Sequence, residues 1–69
     1  MFDMKNEIYR LENDSEYASI LWDDTAEQFI IVYWEEWWGK QEINKISYTD
    51  FDDESEILEH LWRLGYKEI

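Results

Sequence analysis

The segment Trp34-Glu35-Glu36-Trp37-Trp38 places two carboxylates among three tryptophans. Aromatic rings beside carboxylates suit a lysine or arginine side chain, because the rings offer cation–π faces and the acids offer salt bridges. The structural alternative is that Trp34 belongs to the core and the other two tryptophans cap a sheet edge. Trp37 and Trp38 are difficult to bury together, since adjacent residues of a strand point to opposite faces. We therefore take Glu35, Glu36, Trp37 and Trp38 as candidate partner-binding residues, with the two tryptophans as anchors.

Further carboxylates cluster at residues 23–24 and 50–56, where a turn and a helix start are expected. Clustered carboxylates are ligands for calcium, but the run 50–56 lacks the glycine and the terminal glutamate of an EF-hand loop. An acidic helix start explains the run, so no metal site is expected. The candidate carboxylates for contact with a basic surface are Asp23, Asp24, Glu35, Glu36, Asp52, Asp53 and Glu54.

The residues that catalysis would require are scarce. His60 is the only histidine, and it falls out of step with Ile57 and Leu61 in a predicted helix, which favours a structural or solvated role. Gly39 and Gly65 are the only glycines, so there is no glycine-rich loop to cradle a phosphate. A glycosidase needs two carboxyls across a sugar-sized cleft, which a chain of 69 residues rarely forms. We expect neither an enzyme nor a cofactor.

The charge balance points to a basic partner. Eighteen Asp and Glu residues face six Lys and Arg residues, for a formal net charge of −12. Phosphate contacts require Lys and Arg, so this balance argues against direct binding to nucleic acid, and equally against anionic membrane surfaces. Solubility alone needs a net charge of only about 2–8 in a small domain. The excess fits either mimicry of nucleic acid or electrostatic steering towards a basic protein.

Length and composition indicate one small folded domain, residues 1–69. The absence of cysteine excludes disulfides and Cys-based zinc sites. Five Trp, five Tyr and three Phe supply a core, since each aromatic side chain buries roughly 150–250 Å². This content also argues against a disordered acidic chain. The sequence shows neither a membrane span of about 20 apolar residues nor a secretory signal, so the cytoplasm is the expected location.

Alternation along 17–23 and a continuous run of β-branched and aromatic residues at 29–34 are the clearest of up to four strand signals, and turn signals lie at 13–15, 23–26 and 37–40. Because the connections are short, these strands should form an antiparallel meander. The predicted strands are Glu7–Glu12, Tyr17–Asp23, Gln28–Glu36 and Ile43–Tyr48.

The segment Asp52–Leu64 predicts one helix. Asp52 or Asp53 is suited to cap its start, and acidic residues in the first turn favour the helix dipole. Gly65 suits the position after its end, and Tyr66 is expected to fold back onto the helix. The predicted apolar stripe comprises Ile57, Leu58, Leu61, Trp62 and Leu64. The expected fold class is therefore α+β: a three- to four-stranded antiparallel meander followed by one C-terminal helix packed on one face.

The predicted central strand is apolar on both faces. Ile30, Val32 and Trp34 point to one side, and Phe29, Ile31 and Tyr33 to the other. One helix covers only one face. The second face is left for the N-terminal segment, for a second copy of the chain in a homodimer, or for a partner.

Two short motifs carry a resemblance to a known family. Trp38-Gly39-Lys40 follows an aromatic strand, and Gly65-Tyr66-Lys67-Glu68 follows a helix. Over roughly the last 40 residues this order resembles the WGR domain. Lys40 stands where the motif has arginine. The resemblance implies nucleic-acid binding through a basic surface, which this acidic chain lacks, so that function is not transferred.

The leading functional hypothesis is a stoichiometric inhibitor that binds the basic groove of a nucleic-acid-binding protein or nuclease. Such an inhibitor would act as a DNA mimic, like the phage anti-defence proteins called anti-CRISPRs. One alternative is an immunity protein or antitoxin that neutralises a basic toxin. Another is an accessory module that associates with itself through the second sheet face. An enzyme is the remaining alternative.

Overall fold

Five antiparallel strands and one helix make up the part of the chain that the computed structural model describes, residues 7–69. In chain order they are β1 (Glu7–Asn13), β2 (Glu16–Asp23), β3 (Gln28–Trp37), β4 (Lys40–Tyr48), α1 (Glu54–Arg63) and β5 (Lys67–Glu68). The strand order across the sheet is β4-β3-β2-β1-β5. The α+β class, the four-stranded meander and the C-terminal helix are thus confirmed.

The fifth strand was not predicted. It contains only Lys67 and Glu68, and it pairs with β1 through Glu12 and Leu11. The backbone N–H of Ile69 extends this pairing by donating to the carbonyl of Arg10, at 3.1 Å. Two charged residues carry no periodicity, so only the path of the chain after α1 reveals this strand.

The hairpin between β3 and β4 is tighter than the sequence indicated. Trp37 pairs directly with Lys40, which leaves a loop of two residues, Trp38 and Gly39. Both loop residues have positive φ, at 53° and 81°. These are the signs of a type I′ turn, whose twist matches that of the flanking strands. Strand β4 therefore begins at Lys40, three residues before the predicted start at Ile43.

Helix α1 lies on one face of the sheet, as predicted. Its buried residues Ile57 and Leu61 lie in the same core cluster as residues from β1, β2 and β3. Full burial of an aliphatic side chain contributes about 1.5–3 kcal/mol, so this contact is the main attachment of the helix. The cluster comprises Leu11, Ala18, Ile20, Ile31, Ile57, Leu61 and Tyr66.

Both ends of α1 use the predicted capping chemistry. Asp53 is the N-cap, and its carboxylate accepts a hydrogen bond of 2.9 Å from the N–H of Ser55. At the other end, Gly65 has φ of 101° and Tyr66 donates its N–H to the carbonyl of Leu61, at 3.0 Å. This Schellman arrangement turns the chain so that the Tyr66 side chain folds back into the core.

The predicted apolar stripe on α1 is too broad. Ile57 and Leu61 are buried, but Trp62 is 53% exposed and Leu64 is exposed to a similar degree. Of the stripe residues, Ile57 and Leu61 belong to the core cluster and Leu58 packs against it, partly buried. Trp62 and Leu64 therefore lie at the exposed edge of the predicted stripe and outside the core.

The face of the sheet opposite α1 carries a second core cluster, formed by Leu21, Ile30, Val32 and Trp34. The apolar character of both faces of β3 is thus confirmed. Cover by the N-terminal segment was one of the alternatives for this face, and residues 1–6 lie outside the described residues.

A polar network accompanies this second cluster. The indole N–H of Trp34 donates to Ser19 Oγ at 2.8 Å, and the Ser19 hydroxyl donates to the Glu7 carboxylate. Arg10 Nε also donates to Glu7, at 3.0 Å, and its guanidinium lies 5.1 Å from the centre of the Trp34 ring. Tyr17 stacks on the same ring with centroids 4.5 Å apart. The buried Ser19 and the indole N–H of Trp34 are therefore satisfied within the sheet.

Candidate protein-binding surface

The sheet sorts the predicted site residues into two groups at opposite ends of β3. This strand has ten residues and spans roughly 30 Å at about 3.3 Å per residue. Asp23 and Asp24 lie at the turn where β3 begins, and residues 52–54 lie there too, because β4 returns to that end before α1 starts. Residues 35–38 lie at the other end. The predicted residues therefore form two surfaces and not one.

The first surface, here called the acidic end, consists of the turn 23–28 and the segment 50–56. The two segments adjoin each other, since residues of both line one cavity of about 300 Å³. Together they carry eight carboxylates and neither Lys nor Arg. The eight residues are Asp23, Asp24, Glu27, Asp50, Asp52, Asp53, Glu54 and Glu56.

The cavity at the acidic end has aromatic walls. Trp22, Phe29 and Phe51 line it, and the rings of Trp22 and Phe29 meet edge to face with centroids 4.9 Å apart. Trp22 remains 39% exposed. Glu27, Asp50 and Asp52 also line this cavity. Aromatic walls with acidic neighbours suit the side chain of a lysine or an arginine.

The sequence predicts such a combination of aromatic and acidic residues at 34–38, and sequence reasoning missed the one at the acidic end. The signal was present in two triplets, Trp22-Asp23-Asp24 and Asp50-Phe51-Asp52, where aromatic and acidic residues adjoin. Nothing in the sequence states that the two triplets meet. Their proximity follows from the return of β4 along β3.

Two of the predicted contact carboxylates also hold the local backbone. Asp23 accepts hydrogen bonds from the N–H groups of Thr25 and Ala26, at 3.0 and 3.3 Å. Asp53 caps α1. Asp24 and Asp52 are exposed side chains for which no such bond is recorded. Substitutions that probe binding without disturbing the fold are therefore best made at Asp24 and Asp52.

The second surface, here called the tryptophan tip, is the β3–β4 turn with Trp37 and Trp38. Trp37 is 50% exposed and Trp38 is 99% exposed. The indole N–H of Trp37 donates to the Glu35 carboxylate at 2.8 Å, which orients the ring, and Glu36 is exposed beside it. Trp34 belongs to the core, as the structural alternative had it, and its partner cation is Arg10 of the same chain.

Few carboxylates are neutralised within the fold. Seventeen of the eighteen acidic residues lie in the described range, and the ion pairs recorded there are Arg10–Glu7 and Arg63–Glu59. Residues 7–69 contain no group of three acidic or histidine side chains placed to hold a metal. His60 is exposed on α1, with its ring 5.7 Å from that of Phe51. The surplus negative charge of this part of the chain therefore faces solvent.

Glu16 is the acidic residue most involved in the fold. Its carboxylate accepts from the Tyr66 hydroxyl and from the Asn44 amide, the latter at 3.0 Å, so it links β2, β4 and the segment after α1. Burial and the hydrogen bond to Glu16 raise the pKa of Tyr66 well above its usual value, and burial raises the pKa of Tyr33. Both tyrosines are neutral at physiological pH, and Tyr66 serves Glu16 as a donor.

Comparisons with protein-family models, with curated proteins and with solved structures find no match for the chain. The likeness to the WGR domain therefore stays a likeness of short motifs. Within residues 7–69, no helix is long and apolar enough to cross a membrane. The function has to be argued from the two surfaces themselves.

Proposed function

We propose that the protein is a stoichiometric inhibitor that occupies the basic groove of a nucleic-acid-binding protein or nuclease. It acts in the cytoplasm as a DNA mimic, in the manner of phage anti-defence proteins such as anti-CRISPRs. The observation that supports this proposal is the acidic end, where eight carboxylates from two segments lie together without a basic residue. Carboxylates at this density take the place of phosphates in the groove.

The density of charge has the right magnitude. Duplex DNA carries about one negative charge per 1.7 Å of axis, so a length equal to the 17 Å shortest dimension of this protein carries about ten. Eight carboxylates at one end are close to that number. A groove built to bind phosphates therefore meets a comparable charge.

The cavity among Trp22, Phe29 and Phe51 adds a directional contact. An arginine or lysine from the wall of the groove enters the cavity that these rings line, where Glu27 and Asp52 are also lining residues. Such a contact combines cation–π attraction with a charge-assisted hydrogen bond. It favours an arginine or lysine side chain over a simple counterion, because the aromatic walls also cover the hydrocarbon stem of that side chain.

Affinity capture with matched charge variants tests the proposal. The chain is immobilised and exposed, at about 0.1 M salt, to a lysate of the host cells in which it would act. Raising the salt to about 0.5 M shortens the Debye length from about 10 Å to about 4 Å, so a nucleic-acid-binding protein should be released. Retention of that protein at 0.5 M salt, or capture of proteins that bind no nucleic acid, would contradict the proposal.

The variant Asp24→Asn/Glu27→Gln/Asp52→Asn removes three charges from the acidic end. At about 0.5–1 kcal/mol per lost contact, affinity should fall by at least tenfold. The control Glu12→Gln/Asp14→Asn/Glu68→Gln makes the same charge change away from the acidic end and should have a much smaller effect. Equal losses in the two variants would mean that only net charge matters, and the acidic end would lose its role.

The same capture separates the inhibitor from an antitoxin. An immunity protein or antitoxin would present the same acidic end to a basic toxin. Recovery of a toxic enzyme as the salt-eluted partner would therefore identify the chain as that toxin's inhibitor. The groove-binding mechanism would remain, while the biological role would change.

Self-association is a second candidate, supported by exposed apolar residues on the face opposite α1. Ile43, Ile46 and Tyr48 of β4 pair with Trp34, Val32 and Ile30 of the second cluster, and all three are exposed. Light scattering at several concentrations tests this candidate. A dimer that becomes a monomer on Ile46→Lys substitution would support it, whereas a monomer at every concentration would exclude it.

A further inference from the structure

Trp38 occupies a backbone position that is poorly suited to tryptophan. It is the first central residue of the type I′ turn, with φ of 53°. That turn needs positive φ at both central residues, which is why Asn-Gly, Asp-Gly and Gly-Gly are preferred there. A bulky L-residue with positive φ is a genuine outlier. The turn would form more readily with asparagine at this position.

The folded chain gains no buried contact from a tryptophan at this position. The side chain of Trp38 is 99% exposed, so it contributes almost no buried area to the core. The neighbouring Trp37 is different, because its indole is held by a hydrogen bond to Glu35 at 2.8 Å. Backbone strain that the packing does not repay is found at functional sites, so such an outlier motivates a hypothesis of function. Trp38 is such a residue.

We propose that Trp38 is an anchor that inserts into an apolar pocket of the partner protein, at a point separate from the acidic end. Tryptophan is the residue type most enriched among those that dominate binding energy at protein interfaces. The span of β3 sets the distance between the pocket and the groove occupied by the acidic end at roughly 30 Å. For the identity of the partner, this inference rests on the proposed function.

The charged residues around Trp38 indicate which residues should surround that pocket on the partner. Glu35 and Glu42 are directly paired across β3 and β4, and Glu36 is exposed on β3. Lys40 is the only basic residue between 35 and 42. A partner surface of matching chemistry is an apolar pocket with lysine or arginine at its edge. The excess of carboxylates at the tip disfavours an anionic membrane as the surface that receives Trp38.

Site-specific photo-crosslinking tests the anchor. Gln41 is exposed beside the tip, so Gln41→p-benzoyl-phenylalanine places a crosslinker there while Trp38 is kept. Irradiation in a lysate of the host cells should yield one discrete adduct with another protein. Adding Trp38→Asn should lower its yield by about 30-fold at subsaturating concentration, the loss expected for a dominant interface residue. Trp62→Asn, the matched control on α1, should leave the yield unchanged.

Several results would overturn the inference. These are equal losses with Trp38→Asn and Trp62→Asn, an adduct with the mass of two copies of this chain, or binding to phosphatidylcholine vesicles that Trp38→Asn abolishes. A lower urea midpoint for Trp38→Asn would also count against it, because Trp38 would then serve the fold.

Different results would contradict the groove-binding function and the Trp38 anchor. If Asp24→Asn/Glu27→Gln/Asp52→Asn leaves the adduct intact and Trp38→Asn removes it, the anchor stands and the groove-binding function is lost. If the acidic variant removes the adduct and Trp38→Asn does not, the function stands and the anchor is lost.

Discussion

Replacing Trp38 by asparagine should stabilise the isolated protein. The change keeps the two-residue turn and substitutes the residue that type I′ turns prefer. An L-residue in the left-handed region costs roughly 1–2 kcal/mol, and asparagine tolerates that region better than other non-glycine residues. Because the Trp38 side chain is 99% exposed, its removal forfeits almost no packing. We expect the free energy of unfolding to rise by about 0.5–1 kcal/mol, which is the part of the roughly 1–2 kcal/mol left-handed cost that asparagine relieves.

Urea unfolding followed by far-ultraviolet circular dichroism measures this change. With an m-value of about 1 kcal/mol/M for a chain of this size, the midpoint should move up by about 0.5–1 M. In a thermal scan the same gain should raise Tm by about 2–8 °C. Urea is uncharged, so the measurement leaves the electrostatics of an acidic chain unchanged.

Trp37→Asn is the matched control for this experiment. Trp37 donates to Glu35 and is half-buried, so its replacement should leave stability unchanged or lower it. A midpoint that falls by more than about 0.5 M for Trp38→Asn would refute the reasoning. It would mean that the Trp38 ring packs on the chain, and that its exposure and backbone strain were no sign of a binding role.

Three further predictions concern the fold. Above pH 10, Tyr66 ionises in the unfolded chain but stays neutral in the native one, because its pKa is raised in the folded state. The free energy of unfolding should therefore fall as pH rises from about 10. Tyr66→Phe should make this fall with pH less steep. Ile57→Ala should cost about 2–5 kcal/mol in urea unfolding, whereas Trp62→Ala, at a half-exposed position of α1, should cost about 1–2 kcal/mol. Asp53→Ala should lower the free energy of unfolding by about 1 kcal/mol, because the N-cap of α1 is lost. Asp52→Ala should lower it by about half that or less, and the urea midpoints of the two variants measure the difference.

The elements of the fold could be predicted from the sequence because each has a local cause. Alternation along β2 places Ala18 and Ile20 on one face and Ser19 and Leu21 on the other, and the register confirms it. The cap at Asp53 is equally local. By contrast, β5 is fixed only by where α1 delivers the chain.

The candidate site was only partly predictable, because its arrangement depends on topology. The separation of Asp24 from Trp38 follows from their positions at the two ends of β3. The meeting of Trp22 with Phe51 does not follow from any local pattern, since almost thirty residues and the whole of β4 lie between them. The sequence indicates which residue types are available to a binding surface, and the strand order decides which of them share one.

The same carboxylates should act in opposite directions on folding and on binding. Eight negative charges at one end repel each other, so the compact state is destabilised by its own charge. Salt screens that repulsion and also screens attraction to a basic groove. Raising salt from about 0.05 to 0.5 M should therefore raise the urea midpoint of the free protein while it weakens capture of the partner. If the urea midpoint and the capture of the partner both increased with salt, the carboxylates would not contribute to binding. The acidic end could then not be the contact surface.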